Sequence, residues 1–174
     1  MYKMSDKPLL SSAQISDRIK ELGKEISASY DFDIVVSILT GAFVFTADLC
    51  RAMPSKGAKV YFIKASSYGN GMESSRALTV SGLEKVPISG SRILLLDDIV
   101  DSGHTLCELV QKFRDLGAKE VRTCAFLDKA ERREVNFEVN YSGFRIPNAF
   151  VVGYGLDYAD EYRTFPDIWT LSEQ

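Results

Sequence analysis

The stretch Ile93–Leu106, ILLLDDIVDSGHTL, decides the fold. Ile93–Leu96 is a short, wholly apolar run, the pattern of a strand buried on both faces. It ends on two carboxylates, Asp97 and Asp98, and a third, Asp101, follows at once. Ser102, Gly103 and Thr105 then lead into a helix expected over Gly103–Leu116. Leu106, Leu109, Val110 and Phe113 recur there at helical spacing, and Gly117 suits the C-terminal cap.

The same order of elements repeats outward. Toward the N-terminus, Asp33 precedes a second dense apolar run, Ile34–Leu39, then a Thr40-Gly41 turn. Ala42–Met53 reads as a helix ended before Pro54. A first helix starts at Ser11 or Ser12. Ser11 and Gln14 make a capping-box pattern, with Ile15, Ile19, Leu22 and Ile26 as its stripe. Lys59–Ala65 alternates like a strand. Val121–Leu127 follows the acidic helix as another strand, and Tyr141–Arg145, Phe150–Gly153 and Ile168–Leu171 are shorter ones.

Alternating strands and helices through residue 127 predict an α/β fold: a mainly parallel, twisted sheet flanked by helices, in one domain spanning residues 1–174. Such sheets bind ligands beyond the carboxyl ends of their strands. Three loops are candidates: Thr40-Gly41, Asp97–Thr105 and the turn after Leu127. Ser66–Gly90 is rich in Ser and Gly and poor in large apolar residues. That predicts a mobile active-site loop, with a short hairpin around Ala77–Leu83 as an alternative.

Composition narrows the function. The 45% hydrophobic and 26% charged shares are those of an ordinary globular domain. A net charge of −3 without a basic stripe disfavours nucleic acid as a partner. No run approaches the length of a membrane span, and MYKMSDKPLL lacks the apolar core of a signal peptide. Cys50, Cys107 and Cys124 are too far apart for a zinc pattern and suit small core residues in a reducing compartment. A cytoplasmic protein is expected.

The acidic turn has its own chemistry. Amides at a helix start attract a phosphate, Gly103 allows close approach, and Ser102 and Thr105 add hydroxyl donors. Carboxylates beside a phosphate repel it unless they hold sugar hydroxyls or water-bound magnesium. A capped helix with solvated acids in its first turn is the plainer alternative. It suits Asp101 or Ser102 but leaves Asp97-Asp98, placed directly after three leucines, without a reason.

LLLDDIVDSGHTL closely resembles the signature by which type I phosphoribosyltransferases bind 5-phosphoribosyl 1-diphosphate (PRPP). SSYG at Ser66–Gly69, LTGAFVFTADLCR at Leu39–Arg51, LDKAERR at Leu127–Arg133 and GFRIPNAFVVGYGLDYADEYR at Gly143–Arg163 resemble segments of the hypoxanthine-guanine branch. Together they span roughly Leu9–Pro166. The resemblance implies that family's fold, with a small hood formed by N- and C-terminal segments. It implies transfer of a phosphoribosyl group from PRPP to a 6-oxopurine, through an oxocarbenium-like transition state and with Mg2+.

Site residues follow from the same resemblance. Asp101 aligns with the proton-transferring acid or base. Thr40, Gly41, Ser102, Gly103, His104, Thr105 and Arg163 fall on the PRPP and phosphate contacts, and Asp97 and Asp98 on the ribose hydroxyls. Lys129 aligns with the donor to the exocyclic oxygen of the base, which would favour a 6-oxo over a 6-amino group. Phe150 aligns with the stacking ring, with Ile99 and Val151 beside the base. Asp157 aligns with a magnesium-holding carboxylate, joined by Asp97 and Asp98. Ser67 and Tyr68 would close the site against water. Homodimers or homotetramers are implied.

The match is imperfect. Thr40 stands where the family usually has a cation, which puts the pyrophosphate side of the site in question. The acidic pair is Asp-Asp where Glu-Asp is common, and Ala130 replaces a frequent proline. Two other readings compete: a regulator that keeps the fold and binds nucleic acid, and a transferase for xanthine or a pyrimidine. The negative charge weighs against the first and the C-terminal resemblance against the second.

Overall fold

The structure, a computed structural model, describes residues 2–53, 57–68 and 77–173. In chain order its elements are β1 (Tyr2–Met4), α1 (Ser12–Ser29), β2 (Ile34–Leu39), α2 (Phe43–Ala52), β3 (Lys59–Tyr68) and β4 (Ala77–Ser81). Then come β5 (Arg92–Val100), α3 (His104–Asp115), β6 (Glu120–Asp128), β7 (Tyr141–Arg145), β8 (Phe150–Val152) and β9 (Trp169–Glu173).

The main sheet has the order β4-β3-β2-β5-β6-β7. All its pairs are parallel except β3 with β4. Its central strands are buried on both faces along most of their length, as their dense apolar runs suit. Val35, Leu94, Leu96, Cys124 and Phe126 face one core with Ile15, Ile19, Leu22 and Ile26 of α1 and Phe45 and Leu49 of α2. Ile34, Val36, Ile93, Leu95 and Ala125 face the other, with Leu106, Leu109, Val110 and Phe113 of α3. Ser37 is the one polar residue inside β2; its hydroxyl bonds Thr46 Oγ1 at 2.7 Å, so burial leaves it satisfied.

The first helix begins as its sequence predicts. Ser11 Oγ accepts from the Gln14 amide while the Gln14 side chain accepts from the Ser11 amide. Asp167 adds a second acceptor at this end, taking the Ser12 amide at 2.6 Å. That contact ties the C-terminal segment to α1. β1, β9 and β8 form a separate antiparallel sheet in that order, the expected hood. The short strand β1 is an element the sequence did not signal.

Two expectations need correction. The acidic stretch is not all turn: β5 runs four residues past Leu96, through Asp97 and Asp98, to Val100. It continues because β6 runs equally far and pairs Val100 with Asp128. Ser66–Gly90 also holds more structure than its composition suggests. β3 extends to Tyr68, β4 returns as a hairpin, and Val86 and Ile88 are buried in the α3-side core. The middle of the expected mobile loop, residues 69–76, lies outside the described residues.

Strand order reverses between β2 and β5: one continues to β3 on its far side, the other to β6. Crevices open where neighbouring strands send their chains in opposite directions. The loops leaving β2 and β5 therefore flank the place where a ligand site belongs.

Candidate active site

A cavity of about 260 Å³ occupies that switch point. Thr40 and Gly41 line it from β2, and Asp97, Asp98, Ile99, Asp101, Ser102, Gly103 and Thr105 from β5 and the start of α3. Nine residues singled out in the sequence thus meet in one hollow. The Leu39–Thr40 peptide at its edge is cis. Gly41 lets Asp98 approach closely: a Cβ there would fall 1.6 Å from Asp98 Oδ2 and force the carboxylate to move.

The acidic pair is held by the backbone. Asp97 Oδ1 accepts the Asp98 amide at 3.0 Å and Asp98 Oδ1 the Ile99 amide at 2.7 Å. Burial, with the Asp98 charge beside it, pushes the Asp97 carboxyl well above the usual carboxylate range. Burial raises Asp98 too, opposed by the Ile99 amide and by Arg163. Asp101 sits just beyond the strand. Its Oδ1 is buried and accepts no hydrogen bond, and Lys129 Nζ lies 3.6 Å away. Lys129 itself is buried at the end of β6, an unusual place for a lysine without a partner.

At the mouth of the cavity, Gly103 has φ +87° and precedes the first turn of α3, whose amides lack helical partners by construction. His104 opens that helix but does not line the cavity; its ring meets Glu134 Oε2 at 3.3 Å and is partly exposed. Phe150, Val151, Asp157 and Arg163 belong to the hood side. Phe150 is 47% exposed, and its ring packs edge-on against Tyr158 at 5.8 Å. Val151 is buried in β8. Asp157 pairs with Arg163 at 2.8 Å, and Arg163 also donates to the Gly155 carbonyl. Arg163 thus lies outside the cavity, bound within its own loop. Ser67 and Tyr68 have their backbones in the β3–β4 hairpin, while their side chains lie outside the described residues.

The loop carrying Asp157 is strained. Every non-glycine residue with positive φ among the described residues lies in it: Tyr154, Ala159, Asp160 and Tyr162. Each such backbone costs on the order of 1 kcal/mol, and such costs gather at ligand sites. The loop is pressed onto the β2 turn, since a Cβ on Gly155 would lie 2.4 Å from the Gly41 carbonyl. Sequence reasoning missed Arg133 and Asp128 beneath the cavity. Their contacts are made across the fold, and nothing in the local pattern ERR distinguishes one arginine from its neighbour.

Burial of Asp97 has a measurable consequence. A carboxyl whose folded-state pKa is raised favours folding below its unfolded value, and that contribution is lost as pH rises through the folded value. Asp97→Asn keeps the acceptor for the Asp98 amide and removes the titration. We expect the variant to melt higher than the parent by about 2–4 °C or more at pH 8, with the gap closing toward pH 4. Thermal melts across that range check it. A gap that does not depend on pH would contradict the assignment.

Comparisons with known proteins agree with this geometry. The family profile of the phosphoribosyl transferase domain matches residues 7–159. The chain is 41% identical over 170 residues to the hypoxanthine-guanine phosphoribosyltransferase of Aquifex aeolicus, covering 96% of this chain and 95% of that one. It is 41% identical over 164 residues to the hypoxanthine phosphoribosyltransferase of Escherichia coli, covering 92% of each. A crystal structure of a hypoxanthine-guanine phosphoribosyltransferase from Bacillus anthracis superimposes with a TM-score of 0.87 at 35% identity, over 99% of this chain and 100% of that one. A strand-end cavity between β2 and β5 and similarity along the whole chain lead to one conclusion: this chain belongs to the phosphoribosyltransferase family, in its hypoxanthine-guanine branch.

Proposed function

We propose that this protein transfers the 5-phosphoribosyl group of PRPP to nitrogen 9 of hypoxanthine or guanine, giving IMP or GMP and pyrophosphate, a purine salvage reaction. The observation that carries this reading is the Asp101–Lys129 pair, 3.6 Å apart, beside a helix start suited to a phosphate. Asp101 takes the proton the purine sheds as the new C–N bond forms and the bond to diphosphate breaks. Lys129 donates to the 6-oxo group. Phe150 stacks on the base. Ser102, Gly103 and Thr105 hold the 5′-phosphate, and the acids of β5 face the ribose, where positive charge develops.

Magnesium is part of the proposal. Among the described residues, no cluster of three or more acidic, His or Cys side chains could hold a metal. Asp97 and Asp98 form an adjacent pair in the cavity, and Asp157, paired with Arg163, stands on a separate loop. Such a set fits magnesium that arrives on the diphosphate and keeps most of its water and phosphate ligands. Bound so, the ion would neutralise charge on the leaving group. Thr40 supplies no cation on that side, which leaves Arg163 as the cation for the pyrophosphate in this reading.

A homodimer or homotetramer in the cytoplasm belongs to the same reading. Exposed Phe43 and Phe165 border an apolar groove of about 690 Å³ between α1, α2 and the C-terminal segment, which supports self-association. No helix among the described residues is long and apolar enough to cross a membrane.

Purified protein with PRPP and magnesium should convert hypoxanthine or guanine to a nucleotide and use adenine poorly, followed by ultraviolet absorbance. No turnover of either oxopurine sinks the proposal. Asp101→Asn should lower kcat by about 10²-fold or more while PRPP affinity by calorimetry stays nearly constant. Unchanged kcat removes Asp101 from proton transfer.

A further inference from the structure

We propose that Arg133, which touches neither cavity nor substrate, is a positioning residue that sets the distance between Asp101 and Lys129 and the height of the phosphate loop. The inference rests on the phosphoribosyl-transfer reading above. Arg133 is absent from the cavity lining and faces a separate polar pocket behind it, beside Asp128 and Arg145. Its guanidinium bridges the two strand ends that deliver the reacting groups. Nη1 donates to the Asp101 carbonyl at 2.6 Å and Nη2 to Asp128 Oδ1 at 2.5 Å.

Each contact fixes something the reaction needs. Asp101 follows directly on β5, and Asp128 is the residue before Lys129. One planar fork therefore clamps the backbone of the acid to the neighbour of the lysine. The Arg133 stem supports the loop as well: a Cβ on Gly103 would lie 2.8 Å from its Cδ. The next residue continues the support, since the Glu134 amide donates to the Ser102 carbonyl at 3.0 Å. The Arg133 and Asp128 side chains are only 14% and 6% exposed, so water does not screen or replace these bonds. Arg145 Nε, 3.8 Å from Asp128 Oδ2, sits on a side chain 75% exposed and cannot substitute for the buried bridge.

The geometry also says why arginine is needed. The three donors of a lysine ammonium radiate from one nitrogen on a flexible stem, whereas the rigid fork of arginine reaches the carbonyl and the carboxylate from two nitrogens at once. Misplacing reacting groups by about 1 Å costs about 10²-fold in rate. A partial shift should cost about tenfold.

Two variants test the role by steady-state kinetics and thermal melting. Arg133→Lys keeps the charge beside Asp128, so it should melt near the parent. It should nevertheless lose about tenfold or more in kcat and show a raised KM for PRPP. Asp128→Asn combined with Arg133→Met removes the buried charge pair altogether. It should also stay folded and remain impaired in kcat, and it decides the matter if the lysine variant unfolds. Either variant folded, with kcat and PRPP KM within about twofold of the parent, overturns the positioning role and leaves a merely structural ion pair. An inactive parent would overturn the functional reading and this role with it, whereas an active parent with unaffected variants overturns this role alone.

Discussion

The Lys129 amide donates to the Val100 carbonyl at 3.0 Å, and the site depends on that bond. It is the last rung between β5 and β6, in a parallel register that pairs Val100 with Asp128. One residue farther on each strand, the chain presents Asp101 and Lys129 side by side. A shorter β5 would drop Asp101 into a turn away from Lys129. A slip of one residue would turn every side chain of one strand to the opposite face. The depth of the leucine core beneath, Leu94, Leu95 and Leu96 at 0% exposure, makes such a slip costly. The placement of Asp101 beside Lys129 is thus set by sheet register, and Arg133 hydrogen-bonds to both strand ends.

Around this rung the fold accepts local instability. Asp97 and Asp98 are neighbouring carboxyls in a buried place, each held by a single amide. The Asp157 loop holds four left-handed non-glycine residues. Gly41 and Gly155 lie where any side chain would collide with Asp98 or with the Gly41 backbone. The buried carboxyls and the left-handed residues lower stability, and the two glycines let the loops close tightly on one another. They make sense if they assemble a ligand site from three separated stretches of chain, because stability is commonly given up where function needs a special arrangement.

Much of this was legible in the sequence because it is local. Ile34–Leu39 and Ile93–Leu96 are short, densely apolar runs whose length suits buried strands better than helices, and the Ser11–Gln14 box marks a helix start by itself. Asp97–Thr105 could be read as a site because acids after a leucine run conflict with burial. Lys129 and Phe150 were different: alone, each reads as a solvated lysine and a core phenylalanine, and only resemblance gave them roles. Arg133 escaped because its partners are 32 and 5 residues away and one of them is a backbone carbonyl. The extension of β5 through its acids escaped for a related reason. It is imposed by β6, not by the residues themselves.

The central claim is that Lys129, held beside Asp101, reads the 6-oxo group of a purine. The ratio of kcat/KM for hypoxanthine to that for adenine, in the parent and in Lys129→Gln, tests it most directly. A glutamine can accept from a 6-amino group as well as donate to an oxygen. The account predicts a large ratio in the parent that falls by about a hundredfold in the variant. A ratio near one in the parent, or one that Lys129→Gln leaves unchanged, would contradict it.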